Sequence, residues 1–501
     1  MFDFKELFVF DLANNHQGDL THALKIVDEI GNICKENNCK GGLKLQFRDL
    51  KTFIHQDFIN DKTNPNISRF LSTQLGWDDF LKIKTAVKKS NMISICTPFD
   101  EVSVDKIIEM DFDVIKVASC SANDWPLIEK ISLTGKPVIV STGGLTIKEI
   151  DQVVSFFEHK GVDFSIMHCV SIYPTPIEQV QLGFVKKLRK RYPKITIGWS
   201  THEDPENIDI IKVAYALGAE MFERHVGLTD KKYTLNAYSS NPKQVRAWVE
   251  SFFTTKKIIS GEEKIIFQEE KSALDKLKRG IYLKNSSKSG DILKLDDIYF
   301  AIPFVENQID SGSWNDKIIL NKDMNKGEPL LITDVKLIKK NKSIIKDAVH
   351  NVKGILNELN IYLNPEFEVD FSHHYGIEKF NEIGATIINC INREYCKKLI
   401  VQTPGQKHPA HYHQKKEETF HLLYGDVEVW LDGIKRNLVP GEVCLVMPGV
   451  WHSFSTKNGC VIEEISTTHF KNDSFYKDPR INQLKLEERK TTVPNWGRFF
   501  L

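Results

Sequence analysis

The chain has 501 residues, with 67 basic and 67 acidic side chains, and its formal net charge of zero excludes a protein drawn as a whole to nucleic acid or to an anionic membrane. A chain of this length is expected to form about two to four domains. The nine cysteines form no repeated close pair, so we expect reduced thiols. No run approaches the roughly 20 apolar residues of a membrane span, and the first residues lack the basic start and apolar core of a signal peptide. We therefore expect a cytoplasmic protein.

Eight short apolar runs recur between positions 7 and 226, in the order LFVFDLA, GGLKLQF, MISICTPF, FDVIKVAS, PVIVSTG, DFSIMHC, ITIGWST and EMFERHV. Between them lie amphipathic stretches whose apolar residues recur at three and four, such as Ala23 to Cys34, Asp78 to Lys89 and Ile147 to His159. Nearly all polar residues of the runs stand at the C-terminal ends, which is where a parallel (β/α)₈ barrel builds its active site. We predict an α/β enzyme with a TIM barrel over residues 1–265.

The alternation ends near Gly261, and we predict a charged linker helix from Glu262 to Lys278. Residues 279–337 alternate short apolar strands with polar turns and predict a small β domain. A basic connector, KLIKKNKSIIKD, then leads to a third region, residues 350–501. Its runs LIVQTP, EETFHLLYGDVEVWLDG, GEVCLVMP and GCVIEEIS, with turns at Gly425-Asp426 and Asp432-Gly433, predict a small antiparallel β-barrel.

Two lysines and five hydroxyl side chains fall in or just after the barrel runs: Lys44, Lys116, Thr97, Ser119, Ser141, Ser171 and Ser200. Because a buried ammonium group is costly unless it meets an anion, this ring predicts a cradle for a phosphate and a carboxylate. Taken singly, a strand-end lysine is more often a rim residue, and such serines are usually helix N-caps. The joint placement around one ring favours the binding site.

Two histidines, His202 and His225, follow the seventh and eighth runs, which are neighbours in the ring. Neutral imidazoles so placed predict a divalent metal with open positions for substrate and water. A lone histidine is more often a structural hydrogen-bond donor, so the prediction depends on the pair.

The segments FDLANNHQGD, KLQF, CTPFD, IKVAS, STGG, MHCVSIYPTP, GWSTHE and FERHV resemble, in this order, the motifs of the sialic acid synthase family. That family condenses phosphoenolpyruvate with an acylated amino sugar aldehyde. The resemblance covers about the first 260 residues, and the segment from Arg279 to Val335 resembles the antifreeze-like domain that follows the barrel in these enzymes. Eight ordered motifs make the resemblance specific.

The resemblance implies a role for each matching residue. Phosphoenolpyruvate would be bound by the two lysines and five hydroxyls above, and His202 and His225 would hold manganese or magnesium. Asp11 and Glu223 would act with the lysines as catalytic groups that orient water or sugar hydroxyls. The remaining substrate contacts would be Gln46, Tyr173 and Asn236. The antifreeze-like domain would cap the barrel of a partner subunit, so the resemblance also implies a homodimer with swapped domains.

Four sugar-side positions depart from the family pattern. Asp11 stands where the family usually has Glu, and Ser119-Cys120-Ser121 stands for the usual Ser-Gly-Glu. Asn236 stands for an aspartate, and AIPFVENQ replaces the Arg-Pro-Gly segment whose arginine reaches the sugar's acyl group. The phosphoenolpyruvate side is intact, so we expect the same reaction on a different aldehyde, one without the usual N-acetyl group.

The C-terminal region carries a second set of metal-ligand residues. His411 and His413 point the same way on a strand, and with Glu418 and His452 they resemble the two motifs of the cupin family. Glu417 is a competing ligand, because the spacing allows either carboxylate, and Thr456 stands where the second motif ends in asparagine. We predict a second divalent metal here, Mn²⁺, Zn²⁺, Fe²⁺ or Ni²⁺.

The predicted metal has two alternative roles, one catalytic and one structural or sensory. The segments HYHQKKEE and VIEEISTTHFKNDSFYKDPRINQ resemble cupins that isomerise sugars with a metal and a lysine–glutamate pair. The other reading is a sugar-sensing or dimerising barrel with a structural metal. For the whole chain, the favoured hypothesis is a synthase, and the alternative is a regulatory protein that binds sugar acids and carries a structural cupin.

Overall fold

The computed structural model describes residues 1–497 except positions 62, 262–263, 316–317, 338–340 and 364–365. The chain forms two compact units, Met1–Ile265 and Ile266–Leu501. No helix among these residues combines the length and the apolar composition that crossing a bilayer requires.

The first unit is a closed barrel of eight parallel strands that follow one another in chain order, as the apolar runs predicted. The strands are β1 Leu7–Asp11, β2 Lys40–Phe47, β3 Ile93–Pro98, β4 Val114–Val117, β5 Val138–Ser141, β6 Phe164–Cys169, β7 Ile197–Thr201 and β8 Met221–His225. The helices are α1 Leu20–Glu36, α2 Leu50–Phe53, α3 Pro65–Ser72, α4 Trp77–Lys89, α5 Glu101–Glu109, α6 Trp125–Ser132, α7 Ile147–His159, α8 Gly183–Arg191, α9 Asp209–Ala216 and α10 Pro242–Ile259. The prediction of a TIM barrel is confirmed.

Side-chain alternation along each strand separates two cores. On β1, Phe8 and Phe10 point outward into the main core between strands and helices, while Leu7 and Val9 point into the barrel. The barrel interior below the site is a small apolar layer that also contains Ile95, Val114, Ile139, Met167 and Met221. Two residues further along each strand, the same inward row becomes polar at the C-terminal mouth.

The second unit begins with helix α11 Gln268–Asp275, which lies inside the predicted linker helix; positions 262–263 of that prediction lie outside the described residues. Four short strands follow: β9 Gly280–Leu283, β10 Ile298–Ala301, β11 Ile318–Leu320 and β12 Val335–Leu337. They pair as two antiparallel ribbons around a separate apolar core that includes Ile281, Leu293 and Leu330. All four strands lie within residues 279–337, the range predicted for a small β domain.

The remainder of the second unit is a two-sheet β-barrel with one long helix. The helices are α12 Asn341–Glu358, α13 Pro479–Gln483 and α14 Leu486–Arg489. The strands are β13 Glu368–Ser372, β14 Ala385–Asn392, β15 Tyr395–Gln402, β16 Lys407–Tyr412, β17 Glu418–Gly425, β18 Val427–Leu431, β19 Ile434–Leu438, β20 Val443–Val446, β21 His452–Ser455, β22 Cys460–Thr467, β23 Phe475–Tyr476 and β24 Lys490–Val493. They form one sheet of seven strands and one of five.

Two details differ from the sequence-based expectation. Helix α12 begins inside the predicted basic connector, and its Ile345, Val349 and Val352 share a core with Phe371 and Trp496. The second half of the predicted connector is therefore helical: its Ile345 is buried in this core, while its Lys346 and Asp347 are exposed. The turn at Gly425-Asp426 joins strands of different sheets instead of closing a hairpin.

Candidate active site and metal centre

Four charged side chains form a buried row on the floor of the barrel mouth. The ammonium group of Lys44 lies 3.0 Å from Asp11 Oδ2 and 3.1 Å from Glu223 Oε1. Lys116 lies 3.4 Å from Glu223 Oε2 and donates to the hydroxyl of Ser141. All four are at most 5% exposed. The structure thus brings together the four residues predicted to be catalytic.

Burial and pairing act in opposite directions on the pKa values of this row. Burial alone would raise the pKa of Glu223, but Lys116 and Lys44 more than offset it and hold that pKa below its usual range. Burial lowers the pKa of Lys44, but Asp11 and Glu223 outweigh it and leave the value raised. The pKa of Lys116 is lowered by burial and by the like charge of Lys44, which Glu223 only partly compensates. Lys116 is therefore the less securely protonated lysine.

The predicted hydroxyls line the same mouth. Ser200 donates to Glu223 Oε1 at 3.0 Å, and the buried Thr97 hydroxyl has no partner within the described residues. Ser119 accepts from the backbone N–H of Gly143 at 3.0 Å. A methyl group on Gly143 would collide with the hydroxyls of both Ser119 and Ser171, so glycine is what lets these two serines approach each other. Ser171, unlike the others, is exposed.

The two barrel histidines lie side by side, with ring centroids 5.3 Å apart. His202 Nδ1 lies 3.0 Å from the carbonyl of Val170 and must be the donor, which leaves its Nε2 lone pair free. His225 Nε2 faces Asp11 Oδ2 at 3.4 Å, and its buried Nδ1 has no partner. Burial lowers the pKa of His225 to about 4, so the ring is neutral at physiological pH. Each histidine offers one unshared nitrogen, and the pair fits a metal ligand set.

Aromatic rings cover this pair, and only one of them was predicted. The ring of Tyr173 lies 4.2 Å from that of His202, and Tyr238 lies 5.2 Å from both Tyr173 and His225. Asn236 Oδ1 accepts from the backbone N–H of Tyr238, so it touches the site through its neighbour. Tyr238 was missed because its segment after β8 carries no strand or helix pattern. His168, which also ends a run, faces outward against Trp199 and is not part of the mouth.

Gln46 connects the charged row to an arginine that the sequence analysis did not single out. Its Nε2 donates to Asp11 Oδ2 at 3.1 Å, and its Oε1 accepts from Arg48 at 3.0 Å. Arg48 follows β2 directly. Its position at a strand end was the one feature of the sequence that could have indicated a residue of the site.

The second unit holds a three-histidine centre of the kind that the spacing predicted. His411, His413 and His452 each offer one nitrogen, and these atoms lie within 4.8 Å of one another. Each Nδ1 donates to a backbone carbonyl: Pro409 at 3.1 Å, Asp473 at 2.5 Å and Val450 at 3.1 Å, respectively. These bonds fix the tautomer and leave the Nε2 lone pairs free, as in metal sites.

Glu418, and not Glu417, faces the three histidines. Its Oε1 lies 3.4 Å from His413 Nε2, and its Oε2 lies 3.1 Å from His452 Nε2. Glu417 directly precedes β17, and its backbone N–H donates to the hydroxyl of Thr467 at 3.1 Å. Three imidazole nitrogens and one carboxylate are a donor set suited to a divalent transition metal.

Glu418 belongs to a buried network that also contains two lysines and a second carboxylate. Lys416 contacts Glu418 and lies 2.6 Å from Glu464 Oε1, while Lys398 lies 3.4 Å from the same oxygen. Burial would raise the pKa of Glu464, but the lysines outweigh it and lower the value. Burial would lower the pKa of Lys416, but the two carboxylates outweigh it and raise the value. At neutral pH this network holds an ionised acceptor beside a protonated donor.

The centre opens into a cavity of about 340 Å³ within the second unit. Its walls also contain His374, His408, Tyr476 and Arg489. The ring of Tyr476 stacks on His411 at 5.4 Å, and its hydroxyl bonds to His374 at 3.0 Å. A cavity of this size holds a small polar ligand next to the metal ligands.

Comparisons with known proteins found matches for the barrel and for the C-terminal region. A model of the NeuB family matches residues 40–264, and a model of the cupin domain matches residues 398–460. An uncharacterised protein of Methanocaldococcus jannaschii is 32% identical over 292 residues, which are 58% of this chain and 82% of that protein. The N,N'-diacetyllegionaminic acid synthase of Campylobacter jejuni is 25% identical over 298 residues, 58% of this chain and 87% of that protein.

One solved structure is similar to about two thirds of this chain. It is a Chromobacterium violaceum protein assigned to spore coat polysaccharide biosynthesis, 38% identical, with a TM-score of 0.65, covering 66% of this chain and 100% of that one. These matches, together with the lysine and histidine rows at the barrel mouth, place the chain among enzymes: it belongs to the NeuB family of sialic acid synthase-like proteins and carries a cupin domain after the barrel.

Proposed function

We propose that the barrel condenses phosphoenolpyruvate with an open-chain sugar aldehyde and releases a 2-keto-3-deoxy sugar acid of the nonulosonic type together with phosphate. The observation that carries this proposal is the buried row of Asp11, Lys44, Glu223 and Lys116 beside an unpartnered Thr97 hydroxyl. Two ammonium groups surrounded by hydroxyls complement a substrate with both a phosphate and a carboxylate. The names of the relatives, synthases of sialic, legionaminic and pseudaminic acids, support the same reaction.

The anion side uses Lys44 and Lys116 as fixed cations. The hydroxyls that would hold the remaining oxygens of phosphoenolpyruvate are Thr97, Ser119, Ser141, Ser171 and Ser200. In the reaction, C3 of phosphoenolpyruvate forms a bond to the aldehyde carbon, and C2 becomes electron-poor. Water adds at C2, and phosphate leaves with cleavage of the C–O bond. Lys44 and Lys116 stabilise the phosphate as its charge develops.

The sugar side uses the other end of the row. Manganese or magnesium, held by His202 and His225, would supply Lewis-acid polarisation of the aldehyde. Asp11 and Glu223 both contact Lys44, and their carboxylates can accept a proton from water or from a sugar hydroxyl. Gln46, Tyr173 and Asn236 would orient the sugar hydroxyls.

A phosphate-release assay with phosphoenolpyruvate and a panel of aldoses tests the proposal. We expect release with at least one aldose and loss of at least about 100-fold in kcat when Lys116 is changed to Gln. Arg191→Gln, which changes a surface residue paired with Asp151, is the control and should keep full activity. If no aldose supports release, the alternative of a regulatory protein that binds sugar acids is favoured.

For the cupin domain we propose a metal-dependent isomerase or epimerase that acts on the sugar. The centre formed by His411, His413, Glu418 and His452 would hold Mn²⁺, Zn²⁺, Fe²⁺ or Ni²⁺, which would polarise a sugar carbonyl. Glu464 is ionised and Lys416 is protonated, the states that moving a proton between neighbouring carbons requires. Exchange of the C2 hydrogen for deuterium, followed by NMR without phosphoenolpyruvate, tests this.

The matched variants for the cupin are two histidines of the same domain. His452→Ala removes one metal ligand and should stop the exchange, while His421→Ala, a half-buried histidine paired with Glu463, should not. If His452→Ala leaves the exchange unchanged, the metal is structural or sensory. We also propose a cytoplasmic homodimer in which residues 279–337 cap the partner's barrel.

A further inference from the structure

Arg48 is held between two aromatic rings at the end of β2. Its guanidinium carbon lies 3.6 Å from the centroid of Phe99 and 4.1 Å from that of Phe70. Phe53 packs against both rings, each at 6.2 Å. Rings on both faces fix the plane of the guanidinium and leave only its edge N–H groups for polar contacts.

That edge is only partly satisfied. One Nη donates to Gln46, which bonds to Asp11, but the buried Nε has no partner. No described carboxylate forms an ion pair with Arg48, although burial lowers its pKa only to about 10 and leaves it charged at neutral pH. A half-buried guanidinium that has an unpartnered Nε and no ion pair favours binding of an anion.

The carboxylates near Arg48 accept hydrogen bonds from other groups. Asp11 accepts from Lys44, Gln46 and the backbone of Ala13. Asp100 accepts from the backbone N–H groups of Ser103 and Asp49, so it caps helix α5 and holds the loop that follows β2. Through-space interactions with Asp11 and Asp100 raise the pKa of Arg48, whereas the like charge of Arg69 lowers it. Within the part of the chain that the structure describes, these carboxylates therefore act on Arg48 only at a distance, and none forms an ion pair with it.

The position of Arg48 connects it to the sugar side of the site. Gln46 connects the guanidinium to Asp11, which contacts His225 on the sugar side and also Lys44. Lys116 and Ser141 are further removed, because they are reached only through Lys44 and Glu223. The sugar side is the one on which the chain departs from the sialic acid synthase pattern, with Asp11 shortened and Ser121 in place of an acidic residue.

We propose that Arg48 binds an anionic group of the sugar aldehyde, a carboxylate or a phosphate ester, and so makes the substrate an acidic aldose. This inference rests on the proposed condensation. A neutral hydroxyl would accept a hydrogen bond from Nε but would leave the guanidinium charge uncompensated. A carboxylate or phosphate compensates the guanidinium charge and also accepts the hydrogen bond from Nε, because its oxygens match the spacing of two N–H groups.

The test compares acidic aldoses with neutral counterparts in the phosphate-release assay. The pairs are arabinose 5-phosphate with arabinose, for the phosphate ester, and mannuronate with mannose, for the carboxylate. We expect the full-length protein to prefer one acidic aldose over its counterpart. A charge-assisted hydrogen bond of about 1.5–3 kcal/mol corresponds to a preference of roughly 10- to 150-fold in kcat/KM.

Variants of Arg48 separate recognition from a structural role. Arg48→Gln should abolish the preference by lowering kcat/KM for the acidic aldose alone, with the KM for phosphoenolpyruvate within about two-fold of the unchanged protein. Arg48→Lys keeps the charge and should keep part of the preference. Arg191→Gln should change neither value.

Three results would overturn the inference. One is a preference for the neutral aldose of both pairs. Another is an equal loss for acidic and neutral aldoses in both Arg48 variants, which is what a purely structural arginine would give. Absence of phosphate release with every aldose would refute the proposed condensation, and the role of Arg48 with it.

Discussion

Changing Glu223 to Gln tests the charge arrangement at the barrel floor most directly. Among the described residues, Glu223 is the one carboxylate that contacts Lys116, whereas Lys44 keeps Asp11 at 3.0 Å. Removing one partner of a buried ion pair costs about 3–5 kcal/mol if the other charge remains. Lys116 can instead lose its proton, which costs about 4.6 kcal/mol at pH 7 for a group with an unfolded pKa near 10.4. Either route predicts a loss of about 4 kcal/mol in the free energy of unfolding at pH 7.

The pH dependence identifies Lys116 as the group responsible. Burial already lowers its pKa, and without Glu223 that pKa falls further below the unfolded value. Above the folded pKa the unfolded state binds more protons, so the stability of the variant rises with pH, by about 1.4 kcal/mol per unit. We therefore expect the loss to shrink from about 4 kcal/mol at pH 7 to about 1.5 kcal/mol at pH 9.

Glu203→Gln is the matched control. Glu203 is equally buried and lies 3.2 Å from Arg224, which does not lose its proton in this pH range. Its loss of stability should stay constant between pH 7 and pH 9. Urea unfolding followed by tryptophan fluorescence at three pH values measures both variants. A loss in Glu223→Gln that does not change with pH, or changes equally in both variants, would refute the reasoning.

The other predictions concern the metal pair, the cupin and the partner subunit. Replacing His202 or His225 by Ala should abolish phosphate release without unfolding the barrel, and near-normal turnover with added manganese would contradict this. A protein truncated near residue 339 should still condense phosphoenolpyruvate with the correct aldose. That position lies outside the described residues and precedes α12. If the truncated protein is folded but inactive, the two activities depend on each other. Changing Glu306 and Asn307 to Ala should weaken binding of the sugar and not of phosphoenolpyruvate, and a fully active monomer in sedimentation would argue against the capped dimer.

The barrel was predictable from the sequence because its signal is local and repeated. Each strand is a short apolar run with polar residues at its end, and alternation assigns Asp11 and Glu223 to the interior. The same alternation explains why His168 faces outward beside an inward Cys169. In the cupin, two histidines separated by one residue are again a local pattern.

The features that the sequence did not reveal depend on distant residues. The aromatic clamp on Arg48 combines Phe70 and Phe99, which belong to different elements. The pairing of Glu464 with Lys398 is set by the register of β15 and β22, in which these two residues face each other directly. Helix α12 was not predicted because it contains many polar residues, although its apolar residues recur at helical spacing.

In both sites of this chain, two lysines keep a buried carboxylate ionised. In the barrel, Glu223 lies between Lys44 and Lys116, and in the cupin, Glu464 lies between Lys398 and Lys416. A carboxylate between two ammonium groups stays ionised when buried, and it keeps the lysine that is better paired protonated. Each site therefore offers a fixed cation and a fixed anion next to a histidine cluster before any ligand arrives. Because the charges are already in place, little reorganisation is needed when a charged or polarised sugar binds, and this preorganisation is what both proposed reactions require.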